Sequence, residues 1–204
     1  MKINYRASIL LMWVWLVYGQ VGAQNINNRQ HAISITILDE NIGIPLDAFK
    51  INPKHPGATL SFESSKIHSK AYRFTHMIQL GYYYHADFNQ VGFLGWKPKF
   101  ELRLLGMVNV HVLFGLGYAH SFPTQQTYGL ENEHYESKQS NGKSHFMPSA
   151  GFGGGLDFNK ALGIPLEVFG RYEAFSLAPY AINGIAPVTV NTMISIGIKY
   201  VIKN

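Results

Sequence analysis

The sequence predicts an all-β fold, an eight-stranded antiparallel transmembrane β-barrel, on three observations. Eight segments alternate apolar and polar residues with a period of two, the pattern of a strand whose two faces meet different surroundings. Beyond the N-terminus no segment stays apolar for about 18 residues, so no transmembrane helix is expected, whereas barrel strands alternate and read as only half apolar. The connections between segments are mostly short on one side and long on the other, as in a barrel whose ends face different compartments.

The N-terminus reads as a secretory signal peptide over residues 1–23. Lys2 and Arg6 give a basic start, residues 9–17 form an apolar run too short to span a bilayer, and Val21, Gly22 and Ala23 supply small residues before Gln24. The barrel domain is then residues 24–204. Removing the leader lowers the formal charge from +5 to about +3, with no basic run of the kind that tracks nucleic acid.

The strand segments follow in order. Residues 31–38 set Ile33, Ile35 and Ile37 against Ser34 and Thr36, a pattern compatible with a barrel strand or a plug segment. Residues 57–65 set Leu60 and Phe62 against Thr59, Ser61 and Glu63. In 72–84 the apolar face holds Phe74, Ile78, Leu80, Tyr82 and Tyr84, with His76 as an intruder. In 92–104 Leu94, Trp96, Phe100, Leu102 and Leu104 oppose Lys97, Lys99, Glu101 and Arg103. Residues 107–120 place Val108, Val110, Val112, Phe114, Leu116 and Tyr118 on one face. Residues 146–158 alternate Phe146, Ala150, Phe152, Leu156 and Phe158 with a glycine-rich face. Residues 166–175 are noisier, because Phe169 and Phe175 fall on the face of Glu167, Arg171 and Glu173. Residues 191–202 set Ile194, Ile196, Ile198, Tyr200 and Ile202 against Ser195, Gly197 and Lys199.

An even strand count puts both chain ends in the periplasm. The periplasmic turns are then 67–70, 104–106 and 159–163, all short. The outer connections are 41–56, 86–90, 124–144 and 177–187, and all but the tight hairpin at 86–90 are long.

The polar face decides which way the strands point. Glycines crowd it, at Gly81, Gly115, Gly117, Gly151, Gly153, Gly155 and Gly197, and an eight-stranded lumen holds only side chains, so long charged residues there need small neighbours. Aromatics including Tyr82, Tyr84, Trp96, Tyr118, Phe122, Phe146, Phe158, Phe175 and Tyr200 resemble interfacial girdles. The apolar face is therefore expected to meet lipid. The interior then carries a polar network of Glu63, Arg73, Lys97, Lys99, Glu101, Arg103, Glu167, Arg171, Glu173 and Lys199, with Asp157 adding a fifth acid. Near-balanced charge implies ion pairing, and pairing of Arg171 with Glu167 and Glu173 is expected. A filled lumen is expected rather than an open channel.

The segments Asn52-Pro53-Lys54-His55-Pro56-Gly57, Leu80-Gly81-Tyr82-Tyr83-Tyr84-His85, Gly115-Leu116-Gly117-Tyr118-Ala119-His120-Ser121-Phe122, Met147-Pro148-Ser149 and Phe169-Gly170-Arg171-Tyr172-Glu173 resemble small outer-membrane barrel proteins of the Bacteroidetes type, within the OmpA/OmpX-like eight-stranded architecture. The likeness covers most of the chain after residue 23. It implies fold and location in the cell outer membrane, with extracellular loops exposed, and no particular activity. The C-terminal run Tyr200-Val201-Ile202-Lys203-Asn204 departs from the terminal aromatic that many barrels carry.

Chemical motifs are sparse. The absence of cysteine excludes disulfides, thiolate metal sites, a cysteine nucleophile and a lipidated cysteine. An ester hydrolase acting on lipid A, as in some barrels of this size, needs a serine, a histidine base and an orienting acid. His120 and Ser121 are adjacent, so they point to opposite faces of a strand, and no His-x-Ser spacing occurs. Nine histidines include His85, His120 and His145 near the outer rim, without short paired spacing, so no metal ligands are assigned. His111 is expected to join the interior network. Residues 151–155 lack the Lys-Ser/Thr of a phosphate loop. The loop 124–144 is the best candidate for outside contacts. The expected role is structural or surface-binding, without catalysis or cofactor. The alternatives are a lipid A-modifying enzyme and a soluble lipocalin-like barrel. Expected partners are outer-membrane lipid and the barrel-assembly machinery, with no nucleic acid and a monomeric state.

Overall fold

The computed structural model describes residues 29–43, 55–67, 71–86, 89–104, 107–125, 127–131, 134–138, 141–179 and 188–202. The signal peptide expected at 1–23 lies outside the described residues. Among the described residues ten strands form: β1 (Arg29–Ile42), β2 (His55–Ile67), β3 (Tyr72–Tyr84), β4 (Asn89–Leu104), β5 (Val108–Pro123), β6 (Thr127–Glu131), β7 (His134–Lys138), β8 (Lys143–Asp157), β9 (Leu166–Leu177) and β10 (Thr189–Ile202). Eight of them close a barrel in the order β1-β10-β9-β8-β5-β4-β3-β2, every neighbour antiparallel. Closure by β1 against β10 leaves the barrel sheet without an edge, so each barrel strand pairs on both sides within the chain.

Residues 31–38 are a barrel strand, not a plug, and the strand runs on to Ile42. Two local expectations are corrected. Phe158 belongs to a one-turn helix, α1 (Phe158–Leu162), rather than to β8, because the Asp157 side chain accepts the Asn159 N–H at 3.0 Å and caps the turn. Gly163 ends α1 in the left-handed conformation, φ 69°, which glycine adopts without a Cβ clash. The 124–144 loop carries its own two-stranded ladder, β6 with β7, separate from the barrel.

The faces separate sharply. Outward residues include Ile35, Ile37, Phe114, Phe152 and Ile196, each at least 60% exposed. Inward residues are buried and largely polar. A soluble barrel hides apolar side chains and shows polar ones, so this arrangement opposes the lipocalin-like alternative. Tyr82, Tyr84, Tyr118, Phe122 and Phe146 lie outward near the loop-bearing ends of β3, β5 and β8, and Tyr200 lies outward near the opposite end of β10. Trp96 and Phe175 do not belong to these rings. Trp96 sits mid-strand, paired with Ile78 and Leu116, and Phe175 points inward at 2% exposure. His76 is indeed outward, stacked on Trp96 with centroids 5.9 Å apart.

Candidate functional site

The barrel interior is layered along the strands. From the chain-terminus end of β4 the inward positions run Arg103, Glu101, Lys99, Lys97, Phe93 and Val91. On β3 they run Arg73, Thr75, Met77, Gln79, Tyr83, and then His85 just past the strand. A charged layer is thus followed by an apolar layer and then by a polar rim under the longer connections.

The charged layer gathers the residues that alternation placed inside. Glu63, Arg73, Lys97, Lys99, Glu101, Glu167, Arg171, Glu173 and Lys199 are buried, and Arg103 is half-buried. Some pairs follow from ladder register. Arg73 stands opposite Glu101 and donates to it at 2.5 Å, and Lys199 stands opposite Glu167 at 2.5 Å. Others cross the lumen. Lys99 donates to Glu63 at 2.8 Å, and Lys97 donates to Glu173. Glu101 is shared, lying 3.9 Å from Lys99, 3.7 Å from Arg103 and 4.0 Å from Lys199. Arg73 also approaches Glu167 at 3.7 Å, and Lys199 approaches Glu63 at 3.6 Å. Removing one partner from such a set strands a buried charge.

Arg171 differs from the expected arrangement. Among the described residues it has no carboxylate within 4 Å, neither Glu167 nor Glu173. Its guanidinium lies 5.2 Å from the Phe169 ring centroid, and one nitrogen is 3.8 Å from Met77 Sδ. The reason is competition: Lys199 takes Glu167 and Lys97 takes Glu173. His111 is buried opposite Glu101, yet neither ring nitrogen has a hydrogen-bond partner among the described residues.

The apolar layer holds Leu38, Tyr83, Val91, Phe93, Ala119, Met147, Phe175, Leu177 and Met193. Phe93 lies over Gly81, where a Cβ would run into its ring. Gly115 gives way to Lys97 in the same manner, its Cβ position lying 2.9 Å from Lys97 Cγ. The interior glycines therefore match long neighbours, as a filled eight-stranded lumen requires. Together the two layers plug the lumen.

The rim carries the chemistry that spacing alone did not reveal. Ser121 on β5 and His145 on β8 both point inward, and Ser121 Oγ lies 2.7 Å from His145 Nε2. His145 Nδ1 lies 2.7 Å from the Pro179 carbonyl oxygen, brought near by the bridge between Phe146 and Ala178. With Nδ1 donating to that carbonyl, Nε2 accepts from the serine. The outer face repeats the pattern. His120 Nδ1 is 3.2 Å from Ser144 Oγ, Tyr118 Oη is 2.8 Å from the same oxygen, and His120 Nε2 is 3.1 Å from the Asn141 carbonyl oxygen. In both chains a backbone carbonyl, not a carboxylate, is seen at the far nitrogen.

A third rim cluster joins Glu40 at the end of β1, His55 at the start of β2 and His85 just past β3. All three are buried, and one ligand atom from each lies within 4.8 Å of the others. Sequence spacing did not mark it, because the three residues meet only when β1, β2 and β3 align.

No protein-family model and no curated protein matches the chain. Among solved structures it is similar to Neisserial surface protein A (TM-score 0.49, 9% identity, 84% of this chain and 96% of that one). It is similar also to Ail, the attachment invasion locus protein of Yersinia pestis (0.48, 12%, 85% and 97%). The outer membrane enzyme PagL is a third (0.45, 14%, 83% and 98%). The eight-stranded closed barrel itself rests on the chain's own hydrogen-bonded ladder.

Proposed function

We propose that this chain is an outer-membrane barrel with a structural or surface-binding role rather than a catalytic one. One observation carries the reading: a continuous outward apolar surface surrounds a lumen sealed by ion pairs and an apolar layer. Such a surface is costly in water and favourable in lipid. A plugged lumen removes the pore role, which leaves the rim and outer connections as the working surface. In this reading both chain ends face the periplasm, the longer connections face outside, and the Bacteroidetes-type resemblance supports the location. The partners are outer-membrane lipid and the barrel-assembly machinery, with no nucleic acid, and the barrel acts as a monomer. The experiment is membrane fractionation with gel migration before and after boiling. The expected result is a membrane-bound, heat-modifiable band; protein confined to the soluble fraction overturns the reading.

A second reading, a lipid ester hydrolase, is favoured by the Ser121–His145 geometry alone. Its weak point is position, since the pair faces the lumen and not the lipid. Release of fatty acid from outer-membrane lipid that disappears in Ser121→Ala would establish it in place of the first.

A further inference from the structure

We propose that Glu40, His55 and His85 bind a single divalent transition-metal ion of the zinc type at the outer rim of the barrel. Two imidazoles and one carboxylate are the donor set of open zinc sites, in which a fourth position is left to water or another ligand. Their ligand atoms lie within 4.8 Å of one another, against about 3.4 Å for donors around a tetrahedral zinc, so side-chain rotation of about an ångström closes the set.

Glu40 is the second observation. It is 1% exposed, and neither carboxylate oxygen has a hydrogen-bond partner among the described residues. Among the described residues its one ion-pair contact is His55 Nδ1 at 3.5 Å, which counts only if that ring is protonated. A buried carboxylate normally finds a donor or a cation. The lysines and arginines of the charged layer lie below the apolar layer, and none reaches within 4 Å of Glu40 among the described residues. A metal ion supplies the missing positive charge.

His55 is held by two hydrogen bonds. Its backbone N–H donates to Asp39 Oδ1 at 2.8 Å, and its Nδ1 lies 2.8 Å from the Glu40 carbonyl oxygen. With Nδ1 donating there, Nε2 carries the free lone pair, the arrangement that fixes metal-binding histidines elsewhere. The His55 and His85 rings stack with centroids 3.5 Å apart, and binding splays them, because two imidazoles on one tetrahedral ion place their centroids about 5 Å apart. Because β1, β2 and β3 are consecutive in the barrel, the ion staples three strands at the rim. Hard cations such as Ca²⁺ and Mg²⁺ prefer all-oxygen sites and are poor occupants here.

The test uses the untagged barrel refolded in detergent, stripped with chelator and offered one equivalent of Zn²⁺. The expected result is one zinc retained per chain after gel filtration and a higher unfolding temperature, neither produced by Ca²⁺ or Mg²⁺. Glu40→Gln and His85→Gln should each weaken zinc binding at least tenfold, while His120→Gln at the outward rim leaves it unchanged. Heat-modifiability reports whether each variant is folded. Should a variant fail to fold, Co²⁺ added to the wild-type barrel must give a visible absorption band that Zn²⁺ abolishes. No retained zinc, equal binding in the folded Glu40 and His85 variants, loss in the His120 variant, or no cobalt band overturns the site.

Discussion

Lys97 on β4 and Glu173 on β9 form an ion pair across the lumen, between strands that are not neighbours in the barrel. Both side chains are at most 3% exposed. Lys97→Met therefore strands the Glu173 carboxylate and should destabilise the barrel by about 3–5 kcal/mol. Replacing both residues with Met removes both charges, and the double variant should recover most of that loss. Urea unfolding in lipid vesicles measures both. A double variant as unstable as Lys97→Met would mean that Glu173 is not what suffers.

Arg171 gives the contrasting case. Its contacts are the Phe169 ring and Met77 Sδ, not an acid within 4 Å among the described residues. Arg171→Met should therefore cost only the cation–π contact and local packing, about 0.5–2 kcal/mol, and less than Lys97→Met. The same unfolding experiment ranks the two. A larger loss at Arg171 would show that its charge balances Glu63 and Glu173 over a longer distance than the direct pairs do.

The outward face offers a matched pair of sites on β10. Ile196 is 60% exposed on the outer surface, and Ser195 points inward at 5%. Ile196→Arg should cost about 2–4 kcal/mol of insertion free energy, the penalty for arginine at mid-membrane. Ser195→Arg instead meets a filled lumen beside Arg171, its ladder partner, so its defect should appear in detergent as well as in lipid. Folding yields in vesicles and in micelles separate the two. An Ile196→Arg protein that inserts like wild type would mean that this face does not meet the hydrocarbon.

The eight barrel strands are legible because a strand with an apolar outer face and a polar inner face writes its two environments at alternate positions. Residues 92–104 show it clearly, with Lys97, Lys99 and Glu101 inside and Leu94, Trp96 and Phe100 outside. Phe169 and Phe175 broke the pattern in sequence and are inside nonetheless, Phe175 because it joins the apolar layer against Tyr83 at 6.0 Å. Alternation predicts a face but not a partner. Lys97 and Glu173 are 76 residues apart, and their pairing depends on how the barrel closes. Ser121 with His145, and Glu40 with His55 and His85, leave no mark in the sequence for the same reason: their neighbours are set by register across strands, not by spacing along one. The β6–β7 hairpin is not legible in the sequence because its two five-residue strands carry no alternating apolar face.

That hairpin supports the last prediction. Among the described residues β6 and β7 pair only with each other, and β5 pairs directly with β8. Replacing residues 125–142 with a short Gly/Asn turn leaves every barrel ladder intact. Loop-closure entropy changes slowly with length, by roughly 0.6 kcal/mol for each doubling, so the shortened barrel should insert, stay heat-modifiable and unfold within about 1 kcal/mol of wild type. The outward His120–Ser144 cluster loses its Asn141 contact but not the Tyr118 bond to Ser144. Any binding that depends on this hairpin should be lost. Protease added to intact cells should cut the wild-type chain within this segment and leave the shortened one whole. Cutting only after the outer membrane is broken would place the hairpin in the periplasm and invert the proposed orientation of the barrel.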